Sequence, residues 1–264
     1  MTDLWIRRFQ TDPAPGPRLV CFPYAGGAAG YFRPLAGELR QSADVLAVQY
    51  PGRQERRSEE PLRDLHTLAD RVAAALSAHR DRPLVFFGHS MGAVVAHEVA
   101  LRLAADGDGP VELFASGRRA PSRQRDDKVR LLDDDGLVRE LKRLAGTDQA
   151  VLEDKEILDM VLPAIRGDYW AVETYRHRPG TMLACPVTVL VGDRDERVTL
   201  DEARAWREHT TGRFALESFG GGHFFINDHT KAIAELLRRR LSEISRHLSP
   251  AAHTVASGGD LPGR

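Results

Sequence analysis

The chain reads as an α/β protein, a mostly parallel sheet flanked by helices. Three observations predict this. Short apolar runs suited to buried strands recur along the 264 residues. Amphipathic segments of helix length separate them. One run, Pro83-Leu84-Val85-Phe86-Phe87, passes through Gly88-His89-Ser90-Met91-Gly92 directly into a helical pattern. Parallel strands need long crossover connections, and buried ones lose the polar alternation of a half-exposed strand. With 42% hydrophobic residues, the chain can build a large core.

The elements follow in order. Leu4-Trp5-Ile6 and Arg18-Leu19-Val20-Cys21-Phe22 read as the first strands, separated by a Pro/Gly-rich turn. A helix around Phe32 to Leu39 and a strand from Val45 to Gln49 come next. Leu65, Leu68, Val72 and Leu76 mark one face of a helix ahead of the Leu84 strand. Ala93 to Leu103 is helical, Val111 to Ala115 a strand. Pro186 to Val191 and Phe214 to Phe219 are the last strands. Ile233, Leu236, Leu237, Leu241, Ile244 and Leu248 trace the stripe of a final helix.

Between Gly117 and Cys185 no strand pattern appears. A highly charged opening gives way to Leu137, Leu141 and Leu144, then Leu158, Leu162, Ile165 and Tyr169, each set spaced for one helical face. Pro163 is a place for the second helix to kink or restart. A helical insertion at about 118–184 is placed to cover the carboxyl edge of the sheet as a lid; the other reading is a subdomain with a packing role. One domain over 1–248 is expected. A tail over 249–264, rich in Pro, Gly, Ala and Ser, is expected to be disordered.

Composition excludes several classes. The 37 basic and 38 acidic side chains nearly cancel, which gives no ground for a nucleic-acid partner. No apolar run reaches the roughly 18 residues that span a bilayer, and the first residues lack the pattern of a signal peptide. A cytoplasmic protein without membrane association is expected. Cys21 and Cys185 are expected as free thiols, with no metal site. Gly26 and Gly27 lack the lysine or the spacing of a nucleotide-binding loop, so no cofactor is expected.

The strand, sharp turn and helix around Ser90 form a nucleophile elbow, which holds a serine hydroxyl at the carboxyl edge of a sheet. A plain strand-to-helix turn with Ser90 as a helix cap is the simpler alternative. A serine nucleophile needs a histidine to take its proton and a carboxylate to orient that histidine. Gly220-Gly221-Gly222-His223 follows the last strand, and three glycines suit the placing of an imidazole in a cleft. Gly192-Asp193-Arg194-Asp195 follows the Val191 strand. Asp195, further from the strand, is expected as the acid, and Asp193 as a residue that ties down the turn. The oxyanion hole should combine the Met91 N–H with one from the loop after Phe22. His89 is expected to line or support the floor of the site, whereas His66, His79 and His97 have no evident site partners.

Phe22-Pro23-Tyr24-Ala25-Gly26-Gly27, Tyr50-Pro51-Gly52-Arg53, Gly88-His89-Ser90-Met91-Gly92-Ala93, Leu162-Pro163-Ala164-Ile165-Arg166-Gly167-Asp168, Gly192-Asp193-Arg194-Asp195 and Gly222-His223-Phe224-Phe225 stand in one order along the chain. Together they resemble the type II thioesterases of polyketide and nonribosomal peptide biosynthesis, from about Leu4 to Leu248. The resemblance implies an α/β-hydrolase fold with a helical lid and a catalytic set of Ser90, Asp195 and His223. It also implies oxyanion donors at the N–H groups of Ala25 and Met91. The implied activity is hydrolysis of acyl groups from the phosphopantetheine arm of acyl or peptidyl carrier proteins, clearing misprimed or stalled chains in antibiotic-type biosynthesis. A monomer is expected. Tyr24 stands where many relatives have histidine, and Ile165-Arg166-Gly167-Asp168 replaces the commoner Leu-Arg-Ala-Asp. Two other readings are an esterase on small soluble esters and a non-catalytic acyl-binding scaffold; the complete Ser90, Asp195, His223 set argues against the scaffold.

Overall fold

The apolar runs pair into one seven-stranded sheet in the computed structural model, which describes residues 4–144 and 154–248. The strands are β1 (Ile6–Arg8), β2 (Arg18–Phe22), β3 (Asp44–Val48), β4 (Leu84–His89), β5 (Glu112–Ser116), β6 (Val187–Gly192) and β7 (Phe214–Phe219). Their order is β1-β3-β2-β4-β5-β6-β7, with β1 antiparallel to β3 and the other neighbours parallel. The helices are α1 (Arg33–Glu38), α2 (Leu65–Leu76), α3 (Met91–Ala105), α4 (Asp134–Leu144), α5 (Lys155–Thr174), α6 (Leu200–Arg204), α7 (Phe225–Asp228) and α8 (Thr230–Leu248).

Strand alternation divides the core in two. Val20, Phe22, Leu46, Val48 and Phe86 face α2 and α3. Leu19, Cys21, Val45, Val85 and Phe87 face the layer of α1 and α8. Both faces are covered, so β2 to β6 are buried throughout, as their unbroken apolar runs require. Cys21 and Cys185 are free thiols.

Two local details have tertiary causes. The first strand lies two residues later than expected, because Arg7 and Arg8 pair with Glu55 and Asp44 and can therefore stand in an edge strand. Helix α5 runs unbroken through Pro163, capped by Asp154, whose carboxylate accepts the Glu156 and Ile157 N–H groups. Burial of Leu162, Ala164 and Ile165 around the proline outweighs the lost backbone bond. The insertion has its own small core, Val129, Leu137, Leu141, Leu162 and Ile165. The expected tail, 249–264, lies outside the described residues, among which no helix is long and apolar enough to cross a membrane.

His97, given no partner by the sequence, lies in a cluster that does not line the cavity holding Ser90. Its ring stands 5.5 Å from that of His209, 6.0 Å from His177 and 5.6 Å from Trp206. Among the described residues neither of its ring nitrogens has a hydrogen-bond partner. Burial pushes His97 down to about 3 and His209 down to about 4, and lowers His177 too. The folded state therefore holds these imidazoles neutral, whereas the unfolded chain takes up protons near pH 6.5. Stability is undiminished above that pH and declines as pH falls towards 4. His97→Leu should narrow the gap between melting temperatures measured at pH 7 and pH 4.5. An unchanged gap would remove His97 from the acid response.

Candidate active site

Sheet register decides which residues meet at the carboxyl edge. Phe22 pairs with Gly88, so the loop after β2 lies beside the turn after β4. Winding direction reverses between these two strands, and such a reversal opens a crevice at the carboxyl ends. On the other side of β5, Gly192 of β6 pairs with Phe219 of β7. Asp195 and His223 follow shortly after those paired residues and converge.

Ser90 takes φ +54° and ψ −118°, a conformation that L-residues rarely adopt. It is held there by its own N–H donating to Ser116 O at 2.8 Å and by the Ala93 N–H donating to Ser90 O at 3.0 Å. Gly92 permits the turn: a Cβ there would stand 2.0 Å from the Phe22 carbonyl oxygen.

The structure brings the three predicted side chains together. Ser90 Oγ lies 3.0 Å from His223 Nε2. His223 Nδ1 lies 2.9 Å and 3.1 Å from the two carboxylate oxygens of Asp195. Asp195 is buried and also accepts the Arg197 N–H at 2.8 Å, which fixes its rotamer. Asp193 is exposed. Its carboxylate accepts the Gly221 N–H at 2.8 Å, so it ties the β6 loop to the histidine loop rather than bracing its own turn. The Arg194 N–H donates to Gly221 O at 2.9 Å across the same gap.

Ala25 and Met91 line the same cavity as Ser90, and among the described residues neither N–H donates to a protein acceptor. His89 forms part of the floor, with Nδ1 3.0 Å from Ser116 Oγ. Burial, reinforced by the neighbouring His223, holds it well below the ordinary histidine value, so it is neutral. Tyr24 packs edge-on against Tyr31 and Phe224, each 4.8 Å between ring centres. Leu141 and Tyr169 of the insertion close the other side, as a lid does. The cavity measures about 50 Å³, room for roughly three or four water-sized groups.

The sequence did not reveal why the lid helix sits where it does. Asp168 of α5 accepts the Gly26 N–H at 2.7 Å and forms a buried ion pair with Arg53. Burial raises the Asp168 carboxyl above the usual aspartate value, while Arg53 and the Gly26 N–H pull against that rise. The Tyr50 hydroxyl donates to Pro23 O at 3.2 Å, and Gln49 Oε1 accepts the Ala29 N–H at 2.7 Å. Three sequence motifs thus form one polar network around the loop that carries Ala25. A charged pair 115 positions apart has no local spacing signal; only the presence of Arg53 and Asp168 inside separate motifs hinted at it.

The family model for a thioesterase domain matches residues 17–241. The chain belongs to the thioesterase family. This thioesterase is 52% identical over 229 residues to a probable cadicidin biosynthesis thioesterase of Streptomyces griseus, covering 87% of this chain and 63% of that one. It therefore spans slightly less than two thirds of that relative's length. It is 48% identical over 247 residues to thioesterase PikA5 of Streptomyces venezuelae, covering 93% and 85% of the two chains. The type II thioesterase BorB of the borrelidin biosynthetic cluster superposes with a TM-score of 0.85 at 49% identity, covering 91% of this chain and 99% of that one. The fold is that of the α/β-hydrolases with a lid, and within its family the chain is a type II thioesterase.

Asp168→Ala should strip Arg53 of its buried partner and release Gly26. A loss of about 3 kcal/mol or more in denaturant-measured stability is expected, together with reduced kcat/KM. A variant of wild-type stability would show the pair to be dispensable.

Proposed function

We propose that this chain is a serine-dependent thioester hydrolase that removes acyl groups from the phosphopantetheine arm of carrier-protein domains in polyketide or nonribosomal peptide synthesis. The observation that carries the reading is the unbroken line from Ser90 through His223 to Asp195, facing a small covered cavity. One relative is named a probable cadicidin biosynthesis thioesterase and another a type II thioesterase from the borrelidin biosynthetic cluster, and the similar structure of YbtT is that of a type II thioesterase from the yersiniabactin NRPS/PKS biosynthetic pathway. Clearance of misprimed or stalled chains is the task that suits a hydrolase acting on such synthases. One chain supplies the whole set, so it can act as a monomer.

Ser90 Oγ attacks the thioester carbonyl while His223 Nε2 takes its proton, and Asp195 stabilises the imidazolium. The Ala25 and Met91 N–H groups stabilise the tetrahedral oxyanion. The C–S bond breaks, and the thiolate leaves with the proton from His223. Water, deprotonated by His223, then attacks the acyl-serine, and collapse of the second intermediate releases the acid and restores Ser90. Neutral His89 places no charge beside the imidazolium, so its formation is not opposed there.

Ser90→Ala should fold normally and lose at least about 10⁴-fold in kcat/KM. Asp195→Asn should cost about 10³-fold or more, because the wrong histidine tautomer results. Asp193→Asn retains an acceptor for the Gly221 N–H and should cost far less. Steady-state kinetics on the three variants, with circular dichroism for folding, test the assignment; a more damaging Asp193→Asn would move the acid.

Substrate preference is the second test. A carrier protein adds docking surface that holds the reacting carbonyl in place, and a small ester forgoes it. Acylated carrier protein should exceed matched acyl-CoA and p-nitrophenyl esters in kcat/KM. Equal or higher values for the simple esters would make the chain a general esterase.

A further inference from the structure

The cavity that holds Ser90 and His223 is also lined by Arg118, Arg119, Arg197, Asp127 and Glu173. Both carboxylates are already engaged. Asp127 pairs with Arg119 at 2.7 Å and Arg197 at 3.4 Å. Glu173 accepts the backbone N–H groups of Val129 and Arg130 at 2.9 and 3.1 Å and pairs with the Arg130 guanidinium. Arg197 is further paired with Glu140.

Arg118 is different. Among the described residues its guanidinium makes no hydrogen bond or ion pair, and its Nε is shut off from solvent with no acceptor. Its backbone is fixed on both sides. Trp206 Nε1–H donates to Arg118 O at 2.8 Å, and the preceding Gly117 N–H donates to Leu190 O at 2.9 Å. Burial, together with Arg119 and Arg197, pushes the guanidinium down to about 9, despite Asp127 and Glu173 nearby. Arg118 is half-buried and lines the cavity that holds Ser90, and a guanidinium drawn partly out of water favours an anionic partner. The described residues offer it no partner, and a ligand in the space beside Ser90 can supply one.

We propose that Arg118 selects the acyl group, and that the site takes short acyl thioesters ending in a carboxylate, a dicarboxylic acid held as its half-thioester. The inference rests on the thioester-hydrolase reading above and deepens it. A carboxymethyl group beyond the reacting carbonyl contains four non-hydrogen atoms, which matches a cavity of about 50 Å³. A carboxylate meets the guanidinium fork through two parallel N–H donors, a geometry that no neutral acyl chain reproduces. With it bound, three cations in the cavity wall face three anions. Hydrolysis proceeds through Ser90 as before and releases the free dicarboxylate and the thiol.

The test compares kcat/KM of the wild-type chain and of Arg118→Gln and Arg118→Lys on malonyl-, acetoacetyl- and propionyl-pantetheine thioesters. Acetoacetyl matches malonyl in size but carries no charge. The wild type should favour malonyl over acetoacetyl. Arg118→Gln should lower the malonyl-to-propionyl ratio about 30-fold, with partial recovery in Arg118→Lys. An unchanged ratio, or a wild type that treats malonyl and acetoacetyl alike, overturns the proposal. Failure to hydrolyse any of the three would instead overturn the thioester-hydrolase reading on which it stands. Inhibition of the wild type covers the case of a variant that does not fold. Free malonate should compete at least about ten times better than propionate, and equal inhibition overturns the proposal.

Discussion

Helix α3 begins so close to β2 that a Cβ on Gly92 would overlap the Phe22 carbonyl oxygen, and one on Gly88 would stand 2.3 Å from Gly92 O. That approach forces the chain to turn sharply at Ser90 and leaves the serine at positive φ. It also brings the end of β2, and hence the loop bearing Ala25, against the start of the same helix. Nucleophile and proposed oxyanion donors are thus placed by one backbone contact. Strain at Ser90 persists because hydrogen bonds on either side leave the turn no other conformation.

The polar chemistry of the site is arranged in two kinds of environment. Near Ser90 the surroundings are aromatic: Tyr24, Tyr31 and Phe224 pack around the imidazoles of His89 and His223. Burial raises Tyr24 to about 12 and raises Tyr31 as well, so both phenols stay protonated. Across the cavity, towards the insertion, charges are dense and mostly paired. A low-polarity side strengthens the field of the backbone donors, while the charged side is where substrates of different polarity can be told apart.

The elements that depend on local pattern were legible in the sequence: seven apolar runs became the strands, and Ser90, Asp195 and His223 met as their chain order implied. What escaped was set by tertiary contact. The first strand shifted onto Arg7 and Arg8 because ion pairs with distant residues accommodate them. Pro163 passed through a helix that burial holds together. Asp193 reached across to another loop, and Arg53 found Asp168 from the far side of the chain. Arg118 looked like one charge among many in a charged stretch. Its lack of a partner among the described residues distinguishes it, and an absent contact leaves no periodicity to read.

One consequence concerns the Asp168 carboxylate, which stands on the lid helix and accepts from both Arg53 and the Gly26 N–H beside Ala25 with the same oxygen. Lid position and orientation of that peptide are therefore energetically linked. A ligand whose oxyanion draws on the Ala25 N–H favours the peptide orientation in which Gly26 meets Asp168, and so favours the docked lid. Reciprocity then requires that a docked lid strengthen oxyanion binding by the same factor.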